Sequence, residues 1–140
     1  MIWDPFYECM DLEERSELQV RRLRETVARL KVNVPWYRDR LAEKGIEPED
    51  IESLDDLRHL PFTTKEDLRD NYPFGLFALP PDECVRIHAS SGTTGKPVIA
   101  GYAREDIGIW AETIARTIAC GGGSSHDVLH NAYGYGLFTG

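Results

Sequence analysis

The hydrophobic periodicity of the chain changes near residue 84, and this change limits the folds available to it. Between Asp11 and Val32, apolar residues recur at the spacing of an amphipathic helix. After the change, Val85, Ile87 and Ala89 alternate with polar residues, which is typical of a strand. The sequence therefore predicts an α/β fold in which helices come first and a sheet follows.

The region before the change contains further helix signals. Pro35 and Gly45 bracket a short helix, with the proline near its first position and the glycine just past its end. The segments Ser53–Asp56 and Thr63–Glu66 each place an acid three residues after a hydroxyl side chain, which predicts two capped helix starts. The proline- and glycine-rich segment at 71–83, NYPFGLFALPPDE, predicts an extended connector. Residues 1–83 are therefore predicted to form an acidic helical region.

Residues 84–140 are predicted to begin an α/β sheet domain that is truncated in this chain. A glycine-rich loop and a second strand, PVIAGY, follow the first strand. A helix over 103–120 comes next and stops at three glycines, and Asp127–Ala132 is predicted as a third strand. We expect one stripe of the helix to face the core: Ile107, Trp110, Ile114 and Ile118.

Charge and composition exclude several classes of protein. The net charge of −8 is carried by the first 83 residues, while the remainder is neutral, which argues against nucleic-acid binding. No run of about 18 apolar residues suggests a membrane span, and the N-terminus lacks a secretory signal, so a cytoplasmic location is expected. The cysteines, Cys9, Cys84 and Cys120, form no CxxC pair, and the histidines form no HExxH motif. No metal-binding side chains are predicted.

The stretch HASSGTTGKPVIAGY, from His88 to Tyr102, is similar to a phosphate-binding loop. It is not of the Walker type, because Ser90 takes the first glycine position of that motif and Pro97 its final hydroxyl position. The glycines over 134–140 also miss the dinucleotide-binding pattern GxGxxG by one residue. By composition alone the loop is either a flexible polyphosphate site or an ordinary Ser/Thr/Gly hairpin turn.

The order of residues in SSGTTGKP resembles the phosphate loop of the adenylate-forming acyl-CoA synthetases. Most members have a lysine after the proline, whereas here Lys96 precedes it, which is similar to the phenylacetate-CoA ligase branch. Two further segments carry the same resemblance: LPFTTKEDLRDNYPFGLFA at 60–78 and HNAYGYGLFTG at 130–140.

This resemblance implies a ligase that joins a carboxylate to ATP, releases diphosphate, and passes the acyl group to coenzyme A, with Mg²⁺ accompanying the ATP. It implies that the loop holds the ATP phosphates through Ser90, Ser91, Gly92, Thr93, Thr94, Gly95 and Lys96. It also implies that three rings near the end of the chain line a pocket for an aryl acid: Tyr133, Tyr135 and Phe138. The residues essential for adenylation in this family fall outside these 140 residues, so the chain alone is expected to be inactive.

Several alternatives stay open at this point. The substrate is phenylacetate or another aryl acid such as benzoate, and a phosphotransferase would instead release ADP. The rings near the end of the chain either bind substrate or fill the core, and Lys96 either contacts phosphate or faces solvent. The acidic helical region serves packing and solubility, or else forms a homodimer contact or a noncatalytic interaction module.

Overall fold

A computed structural model describes residues 1–90 and 95–132, together with residues 134 and 136. This part of the chain is mostly helical and contains one small antiparallel sheet. In chain order the α-helices and strands are α1 (Pro5–Glu8), α2 (Leu12–Asn33), α3 (Pro35–Lys44), α4 (Lys65–Asp70), β1 (Arg86–Ala89), β2 (Ile99–Tyr102) and α5 (Arg104–Cys120). Short 3₁₀ helices lie at Pro48–Asp50, Leu54–His59 and Pro81–Glu83.

The long helix predicted from periodicity is confirmed as α2. Its first turn is capped by Asp11, whose carboxylate accepts hydrogen bonds from the amides of Glu13 and Glu14, both at 2.9 Å. These two amides have no partner within the helix, so the aspartate satisfies donors that would otherwise be left unpaired.

The short helix bracketed by Pro35 and Gly45 is confirmed as α3. Pro35 occupies the first turn, where its missing N–H costs no hydrogen bond. Gly45 has a φ of 64°, a left-handed conformation that ends the helix and that glycine adopts without steric penalty.

The helical region has a small apolar core between α2, α3 and the segment that follows α3. Its most buried side chains are Val27, Val34, Leu41 and Ile51, each at most 3% exposed. The guanidinium of Arg24 donates from Nε to the carbonyl of Ile51 at 2.6 Å, which fixes the segment after α3 against α2.

The predicted cap of α4 is wrong by one residue. The capping residue is Thr64 rather than Thr63, and its partner is Asp67 rather than Glu66. The Asp67 carboxylate accepts from the Thr64 hydroxyl at 2.7 Å and from the Thr64 amide at 2.8 Å. Thr63 is instead hydrogen-bonded to the Tyr37 hydroxyl on α3, a tertiary contact that the local pattern does not reveal. The cap predicted at Ser53 is confirmed, although the turn that follows is a 3₁₀ helix.

The Asp67 cap makes the free energy of unfolding depend on pH. Hydrogen bonds from the Thr64 hydroxyl and amide, with help from the Arg40 guanidinium, hold the pKa of Asp67 below its ordinary value of 3.8. Because the folded-state pKa is lowered, this stabilisation is present above the unfolded pKa and is lost as pH falls through the folded pKa. We therefore expect Asp67→Asn to lower the free energy of unfolding at about pH 6 by more than it does at about pH 3.

Urea denaturation of both proteins at the two pH values measures this difference. Asp70→Asn removes one negative charge from the same helix without touching the capping box, and it should not reproduce the pH dependence. A deficit in Asp67→Asn that is equal at both pH values would contradict the capping role of the ionised carboxylate.

Strands β1 and β2 form an antiparallel hairpin that carries the glycine-rich loop at its tip. In the register of the pair, His88 lies opposite Ala100 and Ala89 opposite Ile99. Helix α5 follows β2 directly and packs against it. Ala89 of β1 and Ala103 at the start of α5 are buried, and Ala119 is buried near the other end of α5.

The third strand predicted at Asp127–Ala132 is wrong. These residues form a turn followed by irregular chain, and the side chains of Val128 and Leu129 are 98% and 73% exposed. A strand needs a hydrogen-bonded neighbour, and the sheet in the described part of the chain contains only β1 and β2. The segment therefore forms no strand with either of them.

The prediction that one stripe of α5 faces the core is also wrong for most of its length. Trp110, Ile114 and Ile118 are each more than a third exposed. Together with Ile107 and Arg86 they line an open groove on the surface of α5. The periodicity correctly gives the helix and its amphipathic face, but the hairpin is too small to cover that face.

Among the described residues, no helix is both long enough and apolar enough to cross a lipid bilayer.

Candidate functional site

The base of the glycine-rich loop is closed by a pair of hydrogen bonds between Ser90 and Val98. The Ser90 amide donates to the Val98 carbonyl at 2.9 Å, and the Val98 amide donates to the Ser90 hydroxyl oxygen at 2.9 Å. The Ser90 hydroxyl accepts in this contact, so its own hydrogen remains available to a ligand. The hairpin thus holds both ends of the segment 91–97 at a fixed separation.

The end of the loop has a constrained backbone. Gly95 has a φ of 136°, a conformation that side-chain-bearing residues rarely adopt, and no atom lies within 4 Å of the position a Cβ would take. Pro97 has its φ fixed by its ring, and it also restricts Lys96, the residue before it, to extended conformations. The backbone conformation of Lys96 is therefore restricted by the residues on either side of it.

The ammonium group of Lys96 lies over the ring of Tyr72. The distance from Nζ to the ring centroid is 5.6 Å, within the range of a cation–π contact. Between Cys84 and Tyr102 the charged side chains are Arg86 and Lys96, both positive. The loop and its two strands therefore carry positive charge within a chain whose net charge is −8, which suits an anionic ligand.

Three rings pack together on the hairpin face that α5 covers, and we call them the hairpin ring cluster: His88, Tyr102 and Trp110. Their centroids are 5.4 to 5.9 Å apart. The Arg86 guanidinium carbon lies 5.9 Å from the Trp110 ring. The Nδ1 atom of His88 is buried and has no hydrogen-bond partner in the described part of the chain. The cluster fixes β1 two residues before the loop begins.

The first residues of the chain attach the helical region to α5. The terminal ammonium of Met1 donates to the Ala119 carbonyl at 3.2 Å, and Trp3 Nε1 donates to Glu112 at 2.9 Å. Asp4 accepts from Arg116 at 3.5 Å. These contacts hold the C-terminal half of α5 in place beneath the hairpin.

A cavity of about 280 Å³ lies between the helical region and the hairpin. Most of its lining residues are apolar and come from both parts, and Arg29 and Asp106 also line it. Beside it, Gly101 of β2 is in close contact with the Phe77 ring. A Cβ at this position would lie 2.4 Å from a ring carbon of Phe77 and 2.8 Å from Cys84 Sγ.

The structure places some of the site residues predicted from the sequence and leaves others undescribed. Ser90 lies at the base of the loop, hydrogen-bonded to Val98, and Gly95 and Lys96 lie at its end, where Lys96 contacts Tyr72. The remaining phosphate-binding candidates lie outside the described residues: Ser91, Gly92, Thr93 and Thr94. All three candidates for the aryl pocket also lie outside them: Tyr133, Tyr135 and Phe138.

Sequence reasoning missed Tyr72 and His88 as parts of this site. Tyr72 belongs to one of the segments that carry the family resemblance, but it is 24 residues from Lys96 and no local pattern links them. His88 begins the quoted loop stretch, and its place among the rings depends on Trp110 arriving from α5.

The chain is similar in sequence to several known proteins. Phenylacetate-coenzyme A ligase of Thermus thermophilus is 50% identical over 140 residues, covering 100% of this chain and 32% of that protein. The enzyme of the same name from Escherichia coli is 52% identical over 137 residues, covering 98% of this chain and 31% of that protein. The chain is related to the phenylacetate-coenzyme A ligases. It spans about a third of the length of these curated relatives. No family model matches the sequence.

Solved structures give the same result for the fold. A 2-hydroxyisobutyryl-CoA ligase, in complex with 2-HIB-AMP and CoA, superimposes with a TM-score of 0.73 at 32% identity, covering 82% of this chain and 25% of that one. The same ligase in its postadenylation state gives a TM-score of 0.74 at 29% identity and covers 84% of this chain. The predicted fold class is confirmed, since the solved structures that match the chain are adenylate-forming CoA ligases.

Proposed function

We propose that this chain supplies the phosphate-binding loop of an AMP-forming CoA ligase whose acid substrate is phenylacetate. The observation that carries the proposal is the identity of about half of all residues with phenylacetate-CoA ligases along the whole chain. The chain acts together with a further part corresponding to the remaining two thirds of those relatives, and alone it forms no thioester.

The chemistry proceeds in two steps. A carboxylate oxygen attacks the α-phosphorus of ATP, the bond to the bridging oxygen breaks, and diphosphate leaves with the electron pair. The thiolate of CoA then attacks the acyl carbonyl carbon, and AMP leaves. Because negative charge grows on the departing diphosphate in the first step, hydrogen-bond donors placed around it stabilise the transition state.

The loop supplies these donors in our proposal. Hydroxyl groups of Ser90, Ser91, Thr93 and Thr94, amides of Gly92 and Gly95, and the Lys96 ammonium surround the β- and γ-phosphates of MgATP. What supports this is the closed base at Ser90 and Val98, which fixes both ends of the loop, and the local positive charge. A fixed base lowers the entropic cost of ordering the donors around a ligand.

The acid substrate is bound by aromatic rings from the end of the chain. Tyr133, Tyr135 and Phe138 enclose the phenyl group of phenylacetate by edge and face contacts. The support here is the family relationship together with the glycine-rich setting of these rings in the sequence. The reactants are small molecules of the cytoplasm, and we assign the protein to that compartment.

Exchange of labelled diphosphate into ATP tests this function. The protein to use is a chimera in which this chain replaces the matching third of the Thermus thermophilus ligase. We expect exchange that depends on added acid and is strongest with phenylacetate, as the relatives' name suggests, and weaker with benzoate. Acetate should give none, because a pocket of rings favours an aryl group.

The 140-residue chain alone serves as the control and should give no exchange with any acid. Exchange driven chiefly by benzoate would keep the ligase chemistry and overturn the choice of acid. Production of ADP without exchange would overturn adenylation and favour a phosphotransferase.

A further inference from the structure

We propose that Tyr72 is a positioning residue that holds the Lys96 ammonium at the end of the phosphate loop. This inference rests on the proposed function, since it concerns how the loop's one positive side chain is presented to triphosphate. The contact joins two parts of the chain: Tyr72 follows α4 in the helical region, and Lys96 belongs to the hairpin loop.

The backbone around Lys96 is restricted in conformation. Gly95 has a φ of 136°, and Pro97 disfavours the helical conformation for Lys96, the residue before it. Val98 is then fixed by its two hydrogen bonds to Ser90. Only the side-chain torsions of Lys96 remain free, and these are the torsions that a contact at Nζ can restrict.

Tyr72 is itself well anchored. Its amide donates to the Arg69 carbonyl at 3.2 Å, in the turn that ends α4. The preceding residue, Asn71, is held from both ends: its side-chain amide donates to the Asp67 carbonyl at 2.9 Å, and its own carbonyl accepts from the Gly75 amide at 2.8 Å. The ring therefore projects from a fixed turn, although it is 40% exposed.

A ring is well suited to hold a lysine that must bind phosphate. No carboxylate of the described residues lies within ion-pair distance of Lys96. A carboxylate would neutralise the ammonium and occupy its donors, whereas the face of an aromatic ring attracts the charge and takes up no N–H group through a lone pair. Lys96 thus keeps its full charge and its donors for the oxygens of a ligand.

NMR of the 140-residue chain tests the contact without any ligand. Protons above an aromatic ring are shifted upfield, so the ε-methylene signal of Lys96 should be displaced relative to that of Lys65 on α4. We expect Tyr72→Phe to keep the displacement because the ring remains, and Tyr72→Leu to abolish it. An undisplaced Lys96 signal in the original chain would overturn the inference directly.

Titration with inorganic tripolyphosphate tests the consequence. We expect Tyr72→Leu to weaken binding about two- to fivefold, as an exposed cation–π contact allows, while Tyr72→Phe binds as the original chain does. Lys96→Met should weaken binding further, and adding Tyr72→Leu to Lys96→Met should change nothing more. Lys65→Met is the control for loss of one positive charge.

The outcomes separate the two proposals. Equal effects of Tyr72→Leu in the presence and absence of Lys96 would show that Tyr72 acts through folding and would overturn its positioning role. If Tyr72→Leu fails to fold by circular dichroism, the Lys96 displacement in Tyr72→Phe and in the original chain still decides whether the contact exists. Absence of any tripolyphosphate binding, with the Lys96 displacement present, would contradict the phosphate-binding function and with it the positioning role, while leaving the contact itself established.

Discussion

Alanine at both Thr93 and Thr94 is expected to lower phenylacetate-dependent diphosphate exchange by about a hundredfold or more. In the proposed reaction these hydroxyls donate to oxygens on which charge develops, and removing one such donor from an enzyme site commonly costs a factor of this size. The closed base of the loop makes the loss specific, because the Ser90 and Val98 contacts that hold its ends do not involve either threonine. The measurement is the exchange rate of the chimera at saturating MgATP and acid.

Two control variants separate the loss of the threonine hydroxyls from other effects of the substitutions. Serine at both positions keeps the hydroxyls and should restore most of the exchange. Thr113→Ala removes a hydroxyl from α5 that donates to the Trp110 carbonyl, away from the loop, and should leave exchange near its original rate. If the serine and alanine pairs were equally slow, the threonine hydroxyls would not be the donors, and the amides of the loop would have to carry the charge.

Alanine at Gly101 is expected to destabilise the chain by about 1–3 kcal/mol, which is the usual cost of forcing an extra methyl group into a packed interior. The new Cβ would lie 2.4 Å from the Phe77 ring and 2.8 Å from Cys84 Sγ, so both side chains must move together. Because Phe77 comes from the helical region and Gly101 from β2, the strain falls on the junction between them. The change is measured as the free energy of unfolding in urea.

Gly108 in α5 provides a matched control with the opposite sign. No atom lies within 4 Å of the position of its Cβ, and it is in the middle of a helix. Gly108→Ala should therefore stabilise the chain by about 0.5–1 kcal/mol through backbone entropy alone. Adding Phe77→Leu to Gly101→Ala should recover part of the lost stability. Equal destabilisation by alanine at both glycines would contradict the packing argument.

The helices were predictable from sequence because their signals are local. The apolar spacing of α2, the proline and glycine that bracket α3, and the hydroxyl caps each act within a few residues. The error at α4 shows the limit of such signals. Thr63 and Thr64 fit the same pattern equally well, and the choice between them depends on Tyr37, which contacts Thr63 from a different helix.

The sheet and the site were less predictable because they depend on partners distant in the sequence. A third strand was predicted at 127–132, yet a strand needs an edge to pair with, and neither β1 nor β2 pairs with this segment. The order of residues in the loop indicated the relationship to the CoA ligases, and it predicts a polyphosphate ligand. Its contact with Tyr72 could not be foreseen, since that requires knowing where the turn after α4 lies relative to the hairpin.

The hairpin ring cluster also places a fluorescent side chain, Trp110, close to the loop. The three tryptophans of the chain lie in separate places: Trp3 is hydrogen-bonded to Glu112, the Trp36 ring centroid is 4.9 Å from the Arg40 guanidinium carbon, and Trp110 belongs to the cluster beside His88. With Trp3 and Trp36 replaced by phenylalanine, the emission arises from Trp110 alone. A change in this emission on adding ATP would report the proposed binding at the loop, with no dye attached.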